Sequence, residues 1–281
     1  MKPSLTIVIP AYNEQTQLPG CLAAIAAQTE MPDEVIVVDN NSSDLTAAIA
    51  RKFDFVTLIS EPRQGLRFAR NSGLNAARGQ IIGRIDADTR LSPDWSATAR
   101  RAMAGGAVDA LTGPCFYHDM PLANLSLILD NALRRSLFWL NRYPLLYGSN
   151  MVIKRSVWQA LGHDLCTRGE FFEDLDMTIH LRTKNYRLQY WPRLVAGVSS
   201  RRLNDSPAAF AANMRLYGAT FRAHGQFSLA ALGARTVFRA TYRPLKFIRQ
   251  MYNAPANQRF LPVNFGEPQA PELQPRPSSN T

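Results

Sequence analysis

Short runs of apolar, largely β-branched residues recur through the first third of the chain, each closed by a polar turn. The four runs are Leu5–Ile9, Glu34–Val38, Val56–Ile59 and Gln80–Ile85. Helical patterns separate them. One runs from Gln15 to Gln28 with apolar or small residues at Leu18, Leu22, Ile25 and Ala26. A second follows the cap cluster Asn40-Asn41-Ser42-Ser43-Asp44 to about Phe53, and a third spans Gly65 to Arg78. This βαβαβαβ alternation predicts a parallel sheet with helices on both faces. Strands that are apolar almost throughout fit a sheet buried on both sides. Pro10 is expected to stop the first strand.

The later chain predicts a helix over Pro93–Ala104, a strand over Asp109–Pro114 and a Leu-rich helix over Pro121–Arg142. A strand at Met151–Lys154 follows, then a short helix capped by Ser156, and a helix opening at Glu173-Asp174-Leu175-Asp176. Ser206-Pro207 is a helix start, with Ser at the cap and Pro in the first turn, and that helix should run to about His224. Phe227 to Tyr252 reads as helical with an interruption at Pro244. Its Arg235, Arg239, Arg243, Lys246 and Arg249 recur at three to four residues and should share one face. Val237, Phe238, Tyr242, Leu245 and Ile248 lie on the other. The expected organisation is an α/β domain over 1–203, split into halves at 113/114, then basic amphipathic helices over 204–253 and a Pro-rich disordered tail over 254–281.

Charge separates these parts. Residues 1–113 carry 11 Lys and Arg against 12 Asp and Glu, whereas 201–250 carry nine basic residues and one acidic, Asp205. The net charge of +10 is therefore a property of the C-terminal third. It suits an anionic membrane surface or is a solvated helix face. No recognised nucleic-acid motif accompanies it, so nucleic acid is not an expected partner. Cys21, Cys115 and Cys166 lie far apart with no metal-type spacing and read as thiols of a reducing compartment. Met1-Lys2-Pro3-Ser4 leads directly into a strand with no leader pattern, and no uncharged apolar run reaches the roughly 18–20 residues that span a bilayer. The expected location is the cytoplasm, resting on the inner face of the plasma membrane.

Carboxylates gather at the strand ends: Glu14 after the first, Asp39 after the second, Asp86 and Asp88 after the fourth. In a parallel sheet these ends share one edge, where ligands bind. Asp86-Ala87-Asp88 is an oxygen-rich pair suited to a hard divalent cation bridging to phosphate. Asp86 as a turn former and Asp88 as a helix cap is the competing reading. Glu173, Asp174 and Asp176 likewise suit the positive end of a helix dipole without any chemistry.

Five segments in order resemble family 2 glycosyltransferases, inverting enzymes of the GT-A fold. They are Ile7-Val8-Ile9-Pro10-Ala11-Tyr12-Asn13-Glu14, Val37 to Asp44, Gly65 to Leu74, Asp86-Ala87-Asp88, and Glu173-Asp174-Leu175-Asp176. The resemblance covers about residues 4–195. It implies a Rossmann-like, mostly parallel α/β sheet and a nucleotide-sugar donor. By this resemblance Pro10, Ala11, Tyr12 and Glu14 would line the nucleotide pocket. Asp39 would bond the base, favouring a UDP-sugar, and Arg70 would lie near the diphosphate. In Asp86-Ala87-Asp88, Asp86 would contact ribose or sugar, and Asp88 with Asp86 would hold Mg²⁺ or Mn²⁺. Asp174 would be the general base and Glu173 its partner.

The resemblance also implies an acceptor-side turn at Gly148-Ser149-Asn150. Phe171 and Phe172 are placed to shield Asp174 from water. Trp158 and Trp191 are core residues or sugar-stacking platforms. Many relatives carry a metal-binding His after the last core strand; Val198-Ser199-Ser200-Arg201-Arg202 has none, so Arg201 and Arg202 are candidates to meet the leaving group directly. No Gln-x-x-Arg-Trp pattern of processive synthases is present, which favours transfer of a single sugar to a glycan or lipid-linked acceptor. Transfer to a polyprenyl phosphate, with Arg134 and Arg135 on the acceptor anion, is an alternative. A non-catalytic sugar-nucleotide-binding protein is another.

Overall fold

The computed structural model describes residues 2–141, 143–162, 164–166, 171–226 and 229–252. The expected tail at 254–281 lies outside the described residues. The four apolar runs form β1 (Leu5–Ala11), β2 (Glu34–Asp39), β3 (Val56–Ser60) and β4 (Ile81–Arg84), all mutually parallel. With β6 (Ala110–Thr112), β8 (Met151–Lys154) and β9 (Leu188–Tyr190) they make a seven-stranded sheet of order β3-β2-β1-β4-β8-β6-β9.

The pleat sorts the strand residues onto two cores. Ile7, Ile9, Val35 and Val37 pack on one face with α1 (Leu18–Ala26), α2 (Thr46–Ala50) and α4 (Trp95–Ala104). Val8, Ile36, Val38 and Ile82 pack on the other with α3 (Leu66–Ala76), α6 (Arg155–Leu161) and α7 (Glu173–Thr183). All eight strand residues are nearly inaccessible to water. Each contributes roughly 1.5–3 kcal/mol on burial, which is why these runs show no polar alternation.

Several expectations change. The first strand does not stop at Pro10 but runs to Ala11. Pairing with β4 ends at Val8↔Arg84, so Pro10 stands beyond that ladder. The sheet is mostly parallel, as expected; β8 is its reversed strand, antiparallel to β4 and β6, with Arg84 opposite Met151. That reversal brings the start of β8, and with it Gly148-Ser149-Asn150, to the edge where β1, β2 and β4 end. Ser156 does not cap α6; β8 stays paired through Lys154, which is the cap residue. Helix α9 (Leu229–Tyr252) continues through Pro244. Pro244 and Ala240, whose carbonyl loses its helical donor, are both exposed, so water can replace the bond.

A second sheet, of order β5-β10-β7, joins β5 (Arg90–Leu91), β10 (Ala196–Val198) and β7 (Cys115–Tyr117). It delivers His118 and the stretch Ser199–Arg202 to the same edge. Helix α5 (Ala123–Asn141) lies against β7, and α8 (Pro207–Ala223) packs on α7 through Tyr217 and Phe221 beside Leu175 and Ile179. As expected, Ser206 caps α8, accepting from the Ala209 N–H. Among the described residues no helix is long and apolar enough to cross a membrane.

Candidate active site

The strand ends open into a cleft of about 480 Å³. One end is lined by Pro10, Ala11, Tyr12 and Glu14 from the end of β1, by Asn40 after β2, and by Gln64, Gly65 and Leu66 leading into α3. The other end is lined by Tyr147, Ser149, Phe172, Asp174 and Tyr217. Asp86, Ala87 and Asp88, with residues 198–203, line it as well. The wall at 61–65 is fixed by Asn40, whose Nδ2 donates to the carbonyls of Glu61 and Arg63 and whose Oδ1 accepts from the Gly65 N–H. Gly65 has φ of 135°, a backbone conformation glycine adopts without strain.

Asp39 ends β2, paired with Ala11 on one side and Ser60 on the other. Its Oδ1 is buried and has no hydrogen-bond partner. A buried carboxylate oxygen left unsatisfied is costly, and an N–H from a ligand would relieve it.

The centre of the site is Arg84, which is 1% exposed. Its Nη2 lies 3.1 Å from Asp86 Oδ1 and 2.9 Å from Glu173 Oε1, and its Nη1 lies 3.1 Å from Asp174 Oδ1. Burial opposes its charge, but Asp86, Asp174 and Glu173 outweigh that and hold it more firmly protonated than an ordinary arginine. One guanidinium thus ties the Asp-Ala-Asp turn after β4 to the first turn of α7. The Gly148 N–H donates to the other Asp174 oxygen at 2.7 Å. A Cβ on residue 148 would fall 0.8 Å from Arg84 Nη1, so only glycine lets this turn lie across the arginine.

Glu173 sits beneath, between Arg84 and Arg70, whose Nη1 is 3.4 Å from its Oε2. Burial pushes the Glu173 carboxyl up, against the pull of Arg84 and Arg70. Arg70, expected near the diphosphate, is 3% exposed and turns to Glu173 and Asn71.

Asp88 is buried beside two other carboxylates, Asp86 and Glu14. Burial first, and then the charges of Asp86 and Glu14, push it up to about 6, although Arg201 opposes this. Arg201 Nε is 3.0 Å from Asp88 Oδ2, and its two terminal nitrogens grip both oxygens of Glu14. His118 Nε2 meets the Asp88 carbonyl at 3.0 Å, holding the turn. Glu14 and Asp88 meet at Arg201, and Asp86 stands two residues from Asp88, so the carboxylate oxygens here are a donor set that a hard divalent cation fits.

Other expected residues are placed elsewhere. Trp158 is buried with its indole N–H on Asn75, and Trp191 packs on the core, so both are core residues. Asn150 is buried and accepts from the Trp95 indole, leaving Ser149 as the part of its turn that lines the cleft. Phe172 lines the cleft against Tyr217, with ring centroids 5.4 Å apart, while Phe171 turns toward His224. Arg134 is buried, paired with Asp130 at 2.6 Å and 3.7 Å above the Tyr147 ring.

Residues 6–162, more than half of the chain, match the family described as Glycosyl transferase family 2. The chain belongs to that family. Among curated relatives, glycosyltransferase AglE of Haloferax volcanii is 35% identical over 118 residues, which is 40% of this chain and 39% of that protein. Putative glycosyltransferase EpsH of Bacillus subtilis is 33% identical over 97 residues, 33% of this chain and 28% of its own length. The matched stretch thus spans well under half of either relative. Among solved structures, the mannosyltransferase PcManGT of Pyrobaculum calidifontis, bound to GDP-Man and Mn²⁺, superposes with a TM-score of 0.59 at 23% identity, covering 89% of this chain and 85% of that one. TarS 1–349 of S. aureus with UDP-GlcNAc gives 0.55 at 19% identity, covering 78% and 66%. These likenesses establish the GT-A fold of this family 2 member.

The residues that sequence reading missed are Arg84, His118, Tyr147 and Tyr217. Arg84 did carry a signal. A charged residue inside a strand buried on both faces must have buried counter-charges, and carboxylates two residues on were the nearest.

Proposed function

We propose that this protein moves a single sugar, with inversion, from a nucleotide-sugar donor to a hydroxyl of a glycan or lipid-linked acceptor. The observation that carries the reading is the shared grip of Arg84 on Asp86 and Asp174. It sets a donor-side carboxylate and a candidate base at a fixed separation across one cleft. The unsatisfied Asp39 oxygen supports recognition of a base N–H, as in the uracil of a UDP-sugar.

Asp88, with Asp86, would hold Mg²⁺ or Mn²⁺. Bound there, such a cation would stabilise the negative charge that develops on a departing diphosphate. Arg201 supplies positive charge of its own beside Asp88. At the other end Asp174 takes the proton of the acceptor hydroxyl. The Gly148 N–H and Arg84 each hold one of its oxygens, so the carboxylate cannot swing away. Phe172 and Tyr217 keep water from that end, which limits hydrolysis of the donor.

The outer surface supports a membrane-associated acceptor. On α5, Leu125, Ile128, Leu129 and Trp139 are exposed, and on α9 so are Val237, Phe247, Ile248 and Met251. Arg135, Arg239 and Arg243 stand exposed among them. Apolar side chains set among arginines suit the interface of an anionic bilayer.

Calorimetric titration with UDP-, GDP- and dTDP-sugars, in Mn²⁺, Mg²⁺ or EDTA, tests the donor site. One nucleotide class should bind in a metal-dependent way and be lost in Asp88→Asn. Asp174→Asn should keep that binding while turnover falls by about 10²–10⁴-fold. No binding of any sugar nucleotide would sink the proposal.

A further inference from the structure

Behind the catalytic helix, away from the cleft, lies a second group of potential ligands that the reaction does not use. Cys166, Asp176, His180 and His224 each bring one donor atom, and these four atoms all lie within 4.8 Å of one another. Asp176 and His180 are four residues apart on α7 and so share a face of that helix. His224 follows the last turn of α8, and Cys166 precedes α7. Three separate stretches of chain converge there.

We propose that these four side chains form a closed, structural Zn²⁺ site. The ligand chemistry is one thiolate, two imidazoles and one carboxylate, the borderline-soft set that zinc takes in four-coordinate tetrahedral sites. Zinc–ligand bonds of about 2.0–2.3 Å put neighbouring ligands of a tetrahedron roughly 3.3–3.6 Å apart. Cys166 Sγ is 3.8 Å from the Nε2 of both His180 and His224, and His180 Nε2 is 3.5 Å from Asp176 Oδ1. His224 Nε2 to Asp176 Oδ1 is 2.7 Å, a direct hydrogen bond that the ion would open by roughly 0.6–0.9 Å. Asp176 Oδ2 is already engaged by the Cys166 N–H at 3.1 Å, which turns Oδ1 inward and fixes the carboxylate as a single-oxygen ligand.

Burial points the same way. Asp176 is 2% exposed, and a buried carboxylate calls for a counter-charge. The arginines of the cleft are committed to Glu173, Asp174, Asp86 and Asp88. A divalent ion also expels the Cys166 thiol proton as the zinc–sulfur bond forms, and the thiolate and the Asp176 carboxylate then balance the charge of the ion. With all four positions taken by protein, the ion has no open position for substrate, so its part is to clamp the end of α8 onto α7 just past Asp174. It is distinct in ligand type from the all-oxygen set at Asp86 and Asp88, which suits Mg²⁺ or Mn²⁺.

The test is metal analysis of the purified full chain, dialysed against buffer free of chelator. An equimolar amount of zinc is expected, kept by Asp88→Asn, and bound at least about tenfold more weakly in Cys166→Ser and in His224→Ala. Wild type stripped of zinc by a strong chelator should unfold at a lower temperature and regain its midpoint on adding Zn²⁺. Refilled with Co²⁺ it should show a thiolate-to-cobalt charge-transfer band, absent from Cys166→Ser. Should a variant not fold, the stripped and refilled wild type still decides. Wild type that takes up no zinc, or a cobalt spectrum without thiolate character, overturns the site.

Discussion

At the scale of single residues, burying Asp88 makes stability depend on pH. Its folded value, about 6, stands above the ordinary 3.8, so the folded chain holds a proton there that the unfolded chain releases. With EDTA present, this group should cost stability as pH rises from about 4 to about 6, and the cost should stay constant above. At 1.36 kcal/mol per decade the full effect is roughly 2–3 kcal/mol. Thermal unfolding across that window should show Asp88→Asn gaining on wild type as pH rises and exceeding it at neutral pH. Arg84 behaves oppositely. Arg84→Met leaves Asp86, Glu173 and Asp174 facing one another without their cation, and chemical denaturation should register a loss of roughly 3–5 kcal/mol. Glu14, Asp39, Asp86 and Asp88 were legible in the sequence because they follow strand ends, whereas Glu173 and Asp174 open a helix and were read from the family resemblance. Arg70 shows that a motif says which residues belong to a site and not which way a long side chain turns. Here the pull of buried Glu173 decided it.

At the scale of elements, the long apolar runs were legible because burial on both faces leaves a mark on every residue of a strand. Strands β5, β7, β9 and β10 have only two or three residues each, too few to show any period. The reversed direction of β8 was hidden as well, since it depends on where α5 delivers the chain and not on β8 itself. Helix α9 departs most from expectation. Arg249, placed by its spacing on a solvated face, is buried against Asp119 and Asn204, while Phe247 and Ile248 are exposed. The periodicity was real, but Asp119 and Asn204 were inward partners that periodicity cannot see. The exposed stripe of α5 gives the sharper membrane test. Leu129→Glu and Trp139→Glu should reduce co-sedimentation with phosphatidylglycerol vesicles, and, because both sites are 60% or more exposed, stability should shift by no more than about 0.5 kcal/mol. Unchanged sedimentation would rule out α5 as the contact.

At the scale of the whole molecule, helices α8 and α9 are joined to the fold through several seams. Tyr217 and Phe221 complete a cluster with Leu145, Leu175 and Ile179, and Tyr242 packs with Met120 and Leu203. A chain ended after residue 203 loses those aromatic anchors, roughly 1.5–3 kcal/mol each, out of a total that for most domains is about 5–15 kcal/mol. It should fail to unfold cooperatively on heating, whereas a chain ended after Tyr252 should keep a single transition. The charge excess read from the sequence as a property of this C-terminal third remains so, but part of it is spent inside the fold, through Arg201 and Arg249. The grip of Arg201 on Glu14 and Asp88 joins positions 187 residues apart on opposite sides of the opening. On the proposed reading, an arriving diphosphate would offer that arginine a rival pair of oxygens. Donor uptake is then an exchange of partners, with little net change in the number of ion pairs. Its affinity should accordingly respond weakly to added salt, and the chain should be able to let the spent nucleotide go by closing the old contact behind it.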